Sequence, residues 1–223
     1  MTNRDHPVRA ARRLAPGGLL ALAAGAIVLT ASGIGAQHNT QASELNVLLD
    51  RMRGTDPLVC RLVNRALENQ WRDNAVDILE PADADAGTFH WAQSAPIEAD
   101  LVPSLRRALD SDDACVQRTA AQLLGRARVD NLADLLREDL ASADATIRTA
   151  ALRAIGYRGQ ASGGQAATAA LRDASEEVRV TAVWALGRIE NEAAIPALTE
   201  LLSNDASPRI RRAAAWALGR IAG

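Results

Sequence analysis

The sequence predicts an all-α fold in which about five helix pairs form an elongated array, and a repeated phrase carries the prediction. Residues 178–189 read VRVTAVWALGRI, residues 210–221 read IRRAAAWALGRI, and looser copies start at Val116 and Ile147. A fixed period of this length indicates a repeat architecture. The glycines that close the four copies lie 31, 31 and 32 residues apart, at Gly125, Gly156, Gly187 and Gly219.

The composition fits closely packed helices. Apolar residues make up 48% of the chain and aromatic residues only 3%, so alanine supplies much of the apolar fraction. Each unit of such an array contacts mainly its neighbours. Gly187 closes the phrase where a small residue permits either close packing or a helix end, so Gly187→Val is expected to be among the most damaging substitutions. The core face of the clearest copy consists of Val178, Ala182, Ala185, Leu186 and Ile189.

The N-terminal segment has the three-part pattern of an export signal. Four arginines precede an uncharged stretch over 14–36, whose apolar centre is followed by small residues. Residues 1–36 are therefore either a signal peptide or a membrane anchor, and the sequence leaves both open. Arginines ahead of the apolar run keep the N-terminus in the cytoplasm. The rest of the chain is expected outside it: periplasmic, secreted, or anchored to the inner membrane by residues 14–36. Residues 37–43 are predicted to be a polar linker.

Two segments precede the regular repeats. Residues 44–70 carry apolar residues at helical spacing on both sides of a turn, in which Thr55 or Asp56 can cap a helix that Pro57 opens. We predict a degenerate first helix pair there. Residues 71–97 then break the period with acidic residues, prolines and a glycine, which indicates an irregular, solvated acidic insertion.

Four regular helix pairs are predicted over 98–223. Their second helices begin with residues that favour helix N-termini, namely Asp144, Ser175, and Ser207 followed by Pro208. The predicted pairs are 100–110 with 113–126, 130–141 with 144–157, 164–172 with 175–189, and 193–203 with 207–221.

The repeated phrase resembles HEAT repeats, in the short form found in phycobilin lyases. The matching residues are Asp173 in the turn, Val-Arg at 178–179 and Ala-Leu-Gly-Arg-Ile at 185–189. The resemblance covers 98–223 and, more loosely, 44–70. It implies a right-handed α-solenoid whose second helices line the concave side. It also implies that the arginine after the first Val or Ile pairs with turn acids between repeats, and these arginines are Arg148, Arg179 and Arg211.

On the second helices, the positions six and ten residues after the first Val or Ile lie one above the other, and we call this set the strip. It becomes aromatic towards the C-terminus and places tryptophan beside arginine, as interface hot spots often do. One interpretation is a surface that binds an extended or acidic protein segment. The other is that each tryptophan packs between helix pairs and an arginine covers it. The candidate protein-binding residues are Arg153, Tyr157, Trp184, Arg188, Trp216 and Arg220, preceded in the strip by Gln122 and Arg126.

The last helix pair lacks the polar outer face that terminal repeats usually have. Its second helix copies the core residues of the internal repeats, and its first helix is equally apolar at Ile195, Leu198, Leu201 and Leu202. This end is therefore expected to meet either a second copy, forming a homodimer, or a partner protein.

Cys60 and Cys115 are the only cysteines in the chain. Each lies near the start of a predicted second helix, in pairs that neighbour each other in the array. Outside the cytoplasm they are compatible with a disulfide bond. Two buried thiols are the alternative, since cysteine is often buried. The sequence leaves both open.

Nothing in the sequence demands catalysis. Only His38 and His90 follow the N-terminal segment, the serines have no histidine partner for nucleophilic catalysis, and no glycine-rich phosphate loop precedes a helix. We therefore predict no catalytic residue, no metal site and no cofactor. The chain has 27 acidic against 25 basic residues, and four of the basic residues lie in the N-terminal segment. This balance argues against a nucleic-acid partner.

These observations lead us to expect a non-enzymatic, extracytoplasmic scaffold that binds another protein of the cell envelope. Two alternatives follow from proteins that contain or accompany such repeats: a chromophore (bilin) lyase-like protein, and a regulatory partner of a membrane metallopeptidase. Co-purified visible colour would indicate the first, and gene neighbourhood would test the second.

Overall fold

The computed structural model describes residues 42–69 and 97–223. These residues lie within one compact unit, Asn39–Gly223. The predicted signal peptide or anchor over 1–36 and nearly all of the predicted insertion over 71–97 lie outside the described residues. Within the described ranges the fold is all-α, and the only β-type pairing is an isolated bridge between Ile97 and Ala127.

Eleven helices occupy the described part of the chain, and they alternate as the first and second members of helix pairs. Short 3-10 turns lead into or out of several of them. The helices are α1 (42–52) and α2 (Pro57–Asn69); α3 (Val102–Ala108) and α4 (Ala114–Gly125); α5 (Leu132–Leu135) with α6 (Arg137–Leu140), followed by α7 (Ala145–Arg158); α8 (Gly164–Ala169) and α9 (Glu176–Ile189); and α10 (Ile195–Asn204) and α11 (Pro208–Ala222).

The second helices of successive pairs pack against each other in chain order: α2 contacts α4, α4 contacts α7, α7 contacts α9, and α9 contacts α11. From α3 onwards, each first helix packs against the second helix of its own pair, α6 on α7 among them. This arrangement is an α-solenoid, as the sequence predicted. The predicted helix over 130–141 is divided at Leu136, where a ψ of 12° interrupts the helical backbone.

Side chains in the turns accept hydrogen bonds from backbone N–H groups at several helix N-termini, as the sequence predicted. The Asp144 carboxylate accepts a hydrogen bond from the Thr146 N–H, and the Ser207 hydroxyl accepts one from the Arg209 N–H. Before α2, Asp56 rather than Thr55 is the cap, because its Oδ1 accepts from the Leu58 N–H at 2.7 Å. Ser175 occupies the N-cap position of α9 as predicted, but its side chain makes no capping hydrogen bond, and its N–H donates to Asp173 Oδ1.

The core is built from leucine and alanine. Buried leucines come from first and second helices alike, whereas most of the buried alanines lie on second helices. Among the described residues, the large apolar side chains that remain exposed all belong to the first or the last helix pair. They are Val47, Leu58, Val59 and Leu62 in α1 and α2, and Ile195, Leu202 and Trp216 in α10 and α11.

Candidate protein-binding site

Each aromatic side chain of the strip packs against the closing glycine of the preceding second helix. A Cβ atom built on Gly156 would lie 2.3 Å from Cζ3 of Trp184, and one built on Gly187 would lie 2.6 Å from Cζ3 of Trp216. On α4, a Cβ built on Gly125 would lie 2.6 Å from Cβ of Tyr157. Real Cβ atoms cannot approach other atoms so closely, so glycine is required at these junctions.

In α7 and α9 the glycine of the phrase therefore serves close packing rather than ending the helix, whereas α4 ends at Gly125. Gly187 is an interior residue of α9, and α9 ends at Glu190, which has a φ of 57°. Likewise α7 continues past its phrase glycine and ends at Gly159, with a φ of 65°. The contacts of Gly187 with Trp216 and with the backbone of Ala217 agree with the prediction that a larger residue would overpack this position.

Exposure divides the strip into a buried N-terminal part and an accessible C-terminal part. Gln122 and Arg126 on α4 are only 3% and 8% exposed. Trp184 is half-buried, and its ring meets that of Tyr157 edge to face at a centroid distance of 5.2 Å. Trp216 on α11 is 41% exposed although it lies on Gly187. Thus the tryptophans pack between helix pairs, and the last one also presents a large apolar surface.

Two arginines of the strip, Arg153 and Arg220, form ion pairs between neighbouring repeats. Arg153 Nη2 on α7 lies 3.2 Å from Glu177 Oε1 on α9, and Arg220 Nη2 on α11 lies 2.5 Å from Glu190 Oε1. Glu177 is shared, because its Oε2 lies 2.6 Å from Arg209 Nη1 on α11. Arg188 is half-buried. Each such pair links a second helix to the repeat before or after it.

The strip is more basic than the sequence analysis indicated, because Arg118 and Arg209 lie beside it. Burial lowers the pKa of the Arg153 guanidinium, and the positive charges of Arg118 and Arg209 lower it further, whereas Glu177 and Tyr157 act in the opposite direction. Sequence reasoning missed Arg118, Arg209 and Glu177. Their positions in the phrase, two residues after the first Val or Ile or one residue before it, would have placed them next to the strip.

On the opposite flank, Arg148 and Arg179 pair with turn acids as the resemblance implied, whereas Arg211 contacts turn carbonyls and no turn carboxylate among the described residues. Arg148 binds the Asp173 carboxylate with two hydrogen bonds of 2.8 Å, and its Nη1 donates to the carbonyls of residues 142 and 143. Arg179 repeats the arrangement, with its Nε 3.8 Å from Asp205 Oδ2. The hydrogen bonds from Arg148 hold the pKa of Asp173 below its usual range. Arg211 donates to the carbonyls of residues 205 and 206.

Between α2 and α4 the structure contains a disulfide bond. The sulfurs of Cys60 and Cys115 are 2.13 Å apart and their Cα atoms 5.8 Å apart. A buried polar network surrounds the bond: Asn64 Nδ2 donates to the Cys60 carbonyl and to Thr119 Oγ1, and Gln122 Nε2 donates to the Asn64 carbonyl at 2.8 Å. Gln122, a predicted strip residue, therefore belongs to the packing of this junction.

Within 42–69 and 97–223, no helix is both long and apolar enough to cross a bilayer. The same ranges contain no group of three or more His, Cys, Asp or Glu side chains that could hold a metal ion. The segment proposed to enter the membrane, 14–36, lies outside these ranges.

The chain was compared with known proteins. Residues 164–223 match the family of HEAT repeats, and no curated protein matches the chain. It is similar to an engineered protein solved by the Northeast Structural Genomics Consortium, with 20% identity, a TM-score of 0.44, and coverage of 86% of this chain and 84% of the other. It is also similar to a designed armadillo repeat protein in complex with the peptide (KR)4, with 17% identity, a TM-score of 0.37, and coverage of 87% and 95%.

The matched segment contains the two copies of the phrase in which tryptophan, arginine and the closing glycine all occur. It comprises α8 to α11, in which α9 and α11 stack through Gly187 and Trp216. Residues 164–223 are therefore similar to HEAT repeats, and they lie at the C-terminal end of an all-α array of helix pairs.

Proposed function

We propose that this protein is an exported HEAT-repeat scaffold that binds another protein of the cell envelope along the strip. The observation that carries the proposal is the exposed end of the strip on α11, where Trp216 is 41% exposed on the helix face that also carries Arg220 and Arg209. Tryptophan and arginine dominate the energetic centres of protein interfaces. Repeat arrays offer extended surfaces for such contacts.

The location outside the cytoplasm is supported by two independent features. The first is the charged, apolar and small-residue pattern of 1–36, which is typical of an export signal or an anchor. The second is the bond between Cys60 and Cys115, since structural disulfides persist mainly in oxidising compartments. We do not propose the bilin-lyase or metallopeptidase alternatives, because no observation on the described residues favours them.

Site-specific cross-linking in cells tests the binding surface. A photoreactive amino acid replaces Arg212, an exposed residue of α11, in the full-length chain; the matched control replaces Arg107, an exposed residue of the first helix α3. The proposal predicts a discrete protein adduct from position 212 and none from position 107. Equal adducts from both positions, or none from either, would reject the strip as the binding surface.

The state of the two cysteines in cells tests the location. Intact cells are quenched with acid, free thiols are alkylated, and the mass of the full-length protein is measured. The proposal predicts no alkylation without reductant and two alkylated cysteines after reduction, because Cys60 and Cys115 are bonded. Full alkylation before reduction would contradict an oxidising location.

The last helix pair offers a further contact surface, as the sequence analysis expected. Ile195 and Leu202 on α10 are exposed, and a Cβ built on Gly219 would meet nothing within 4 Å. We propose that this end contacts either a second copy or the partner. Light scattering of the purified protein at high concentration tests self-association, and a monodisperse monomer would exclude the homodimer.

A further inference from the structure

We infer that the strip receives an acidic, extended segment of the partner protein, seated over arginines from three successive second-helix junctions. The inference rests on the proposed function and adds the chemistry of the ligand. It concerns Arg118 on α4, Arg153 on α7 and Arg209 on α11, with Glu177 on α9 between the last two. We call these four residues the arginine cluster.

The geometry of the arginine cluster leaves positive charge in excess. The single carboxylate of Glu177 is shared between Arg153, at 3.2 Å, and Arg209, at 2.6 Å. The third arginine, Arg118, is close enough for its charge to act on Arg153. The negative charge of Glu176 also acts on Arg209, so three guanidinium groups face two carboxylates. Among the described residues Arg118 forms no ion pair with any other.

Three of the four helices that carry the cluster add to this excess, whereas α9 has Glu176 and Glu177 as well as Arg179 and Arg188. α4, α7 and α11 contain one, three and four arginines and neither aspartate nor glutamate. Arg212, at the position of the phrase that Arg118 occupies in α4, is exposed and likewise makes no ion pair within the described ranges. The chain as a whole is acidic, with a formal charge of −2. Positive charge is therefore concentrated on α4, α7 and α11.

Partial burial makes this arrangement costly without an anionic partner. The side chain of Arg153 is only 23% exposed, so its charge is screened less by water than that of a surface arginine. Like charges held together in such a site repel each other. Carboxylates of a ligand would offset both effects, and arginine pairs with carboxylates through directional hydrogen bonds.

The spacing favours an extended protein segment. Stacked helices lie about 8 to 10 Å apart, so the three steps from α4 to α11 span roughly 24 to 30 Å. An extended chain of about eight residues covers that distance.

Binding of defined peptides to the purified full-length protein tests the inference. The probe is a fluorescein-labelled ten-residue peptide of alternating glutamate and glycine with one central tryptophan, and its lysine counterpart is the control peptide. Fluorescence anisotropy is expected to show binding of the acidic peptide that weakens as salt is raised, and no binding of the basic one. Binding of both peptides alike, or of neither, would overturn the inference.

Charge reversal locates the site. Arg118→Glu and Arg212→Glu are each expected to weaken binding of the acidic peptide by on the order of tenfold, since each replaces an attraction with a repulsion. Arg107→Glu on α3 changes the net charge equally and is expected to change the affinity by less than about twofold. Arg212 is exposed, so Arg212→Glu keeps the test valid if Arg118→Glu impairs folding. Equal effects at positions 107 and 212 would contradict the inference.

The same assay separates this inference from the proposed function. A single-stranded DNA oligonucleotide that binds more tightly than the acidic peptide would replace the inferred ligand with a nucleic acid. A protein adduct from position 212 in cells, together with failure of the acidic peptide to bind, would retain the scaffold and reject the acidic ligand. If position 212 gave no adduct in cells and the acidic peptide did not bind, both the scaffold and the acidic ligand would be rejected.

Discussion

The junction between α2 and α4 and the junctions from α7 to α11 join equivalent helices by different means. At the first junction a disulfide bond and a set of buried hydrogen bonds connect the helices. At the later junctions an aromatic ring of one helix rests on a glycine of the preceding one. The comparison shows what the repeated phrase contributes, because the phrase is degenerate in α2 and complete in α9 and α11.

The first junction lacks the residues that interlock the others. At the position of Trp184 and Trp216, α4 carries Gln122, whose amide donates to the Asn64 carbonyl. Where the other copies have glycine, α2 has Glu68. Without the pairing of an aromatic ring and a glycine, less apolar surface is available between the helices. The Cys60–Cys115 bond joins the helices at this place, which suggests that it compensates for the missing interlock.

The later junctions also use part-buried ion pairs, whereas the ion pair at the first junction, between Arg53 Nη1 and Asp112 Oδ1 at 3.6 Å, is exposed. Arg148 and Arg179 each connect their own turn to the aspartate of the next turn. At the corresponding position α4 has Gln117, which donates to the Leu109 carbonyl of its own turn. The turn before α4 is instead fixed to the first pair, because the Gly54 N–H donates to Asp113 Oδ2 at 2.7 Å.

Removal of the disulfide is expected to lower the stability of the protein more than any of the other substitutions below. The bond closes a loop of 55 residues, so the chain-entropy model gives about 4 kcal/mol for the double variant Cys60→Ser, Cys115→Ser. Urea unfolding followed by circular dichroism should show a lower midpoint than the wild type. Added reductant should lower the midpoint of the wild type and leave that of the double variant unchanged. If the double variant were as stable as the oxidised wild type, the disulfide would not act as a clamp at this junction.

Substitution of a glycine that closes the phrase is expected to have the second largest effect on stability. Gly156→Ala places a methyl group against the Trp184 ring, so the free energy of unfolding should fall by about 1 to 3 kcal/mol. Gly219→Ala is the matched control, because its Cβ meets nothing within 4 Å. Alanine favours helix over glycine by about 1 kcal/mol, so the control should be neutral or stabilising. Thermal unfolding of both variants measures the difference, and similar losses would contradict the interlock.

The ion pair between Asp173 and Arg148 should contribute less to the free energy of unfolding than the disulfide bond or the phrase glycine. Asp173→Asn removes the carboxylate that accepts two hydrogen bonds from Arg148, and a loss of about 1.5 to 2 kcal/mol is expected for charged hydrogen bonds in a part-buried site. Asp50→Asn removes the partner of an exposed pair with Arg53, and its effect should stay below about 0.5 kcal/mol. Chemical denaturation of the two variants compares them. If the two substitutions lowered the stability equally, the Asp173–Arg148 ion pair would contribute no more than an exposed surface pair.

The smallest expected effect is a loss of folding stability at acidic pH. Hydrogen bonds from Arg148 lower the pKa of Asp173, and backbone hydrogen bonds from Gly54 and Val116 lower that of Asp113. A lowered carboxyl pKa stabilises the folded state fully above the unfolded pKa of about 3.9. The contribution is lost as the pH falls from about 4 towards the folded values. Unfolding measured from pH 7 to pH 2.5 should show this loss, and Asp173→Asn should reduce it.

Much of the fold follows from the sequence, because the phrase repeats at constant spacing and its caps act locally. Asp144, Ser207 and the Arg148–Asp173 pair involve residues of one repeat or of neighbouring ones. The environment of the strip could be predicted only in part. Gln122 is buried because α4 packs on α2, and this contact depends on a degenerate repeat that the phrase does not describe.

The arginine cluster could not be predicted from any single copy of the phrase. Its members come from four different second helices, and the shared carboxylate of Glu177 has no counterpart in the other copies: the equivalent residues are Cys115, Thr146 and Arg209. The role of the phrase glycine was also open, because the ring that covers Gly187 belongs to the next repeat.

Hydrogen exchange of the full-length protein, with and without reductant, tests the contrast between the junctions most directly. The covalent clamp predicts that reduction increases exchange at amides of α2, Pro57–Asn69, while amides of α9 and α11 keep their protection. Unchanged exchange in α2 after reduction would contradict the compensating role of the disulfide. Loss of protection throughout the array would show that the later junctions do not hold by their own packing.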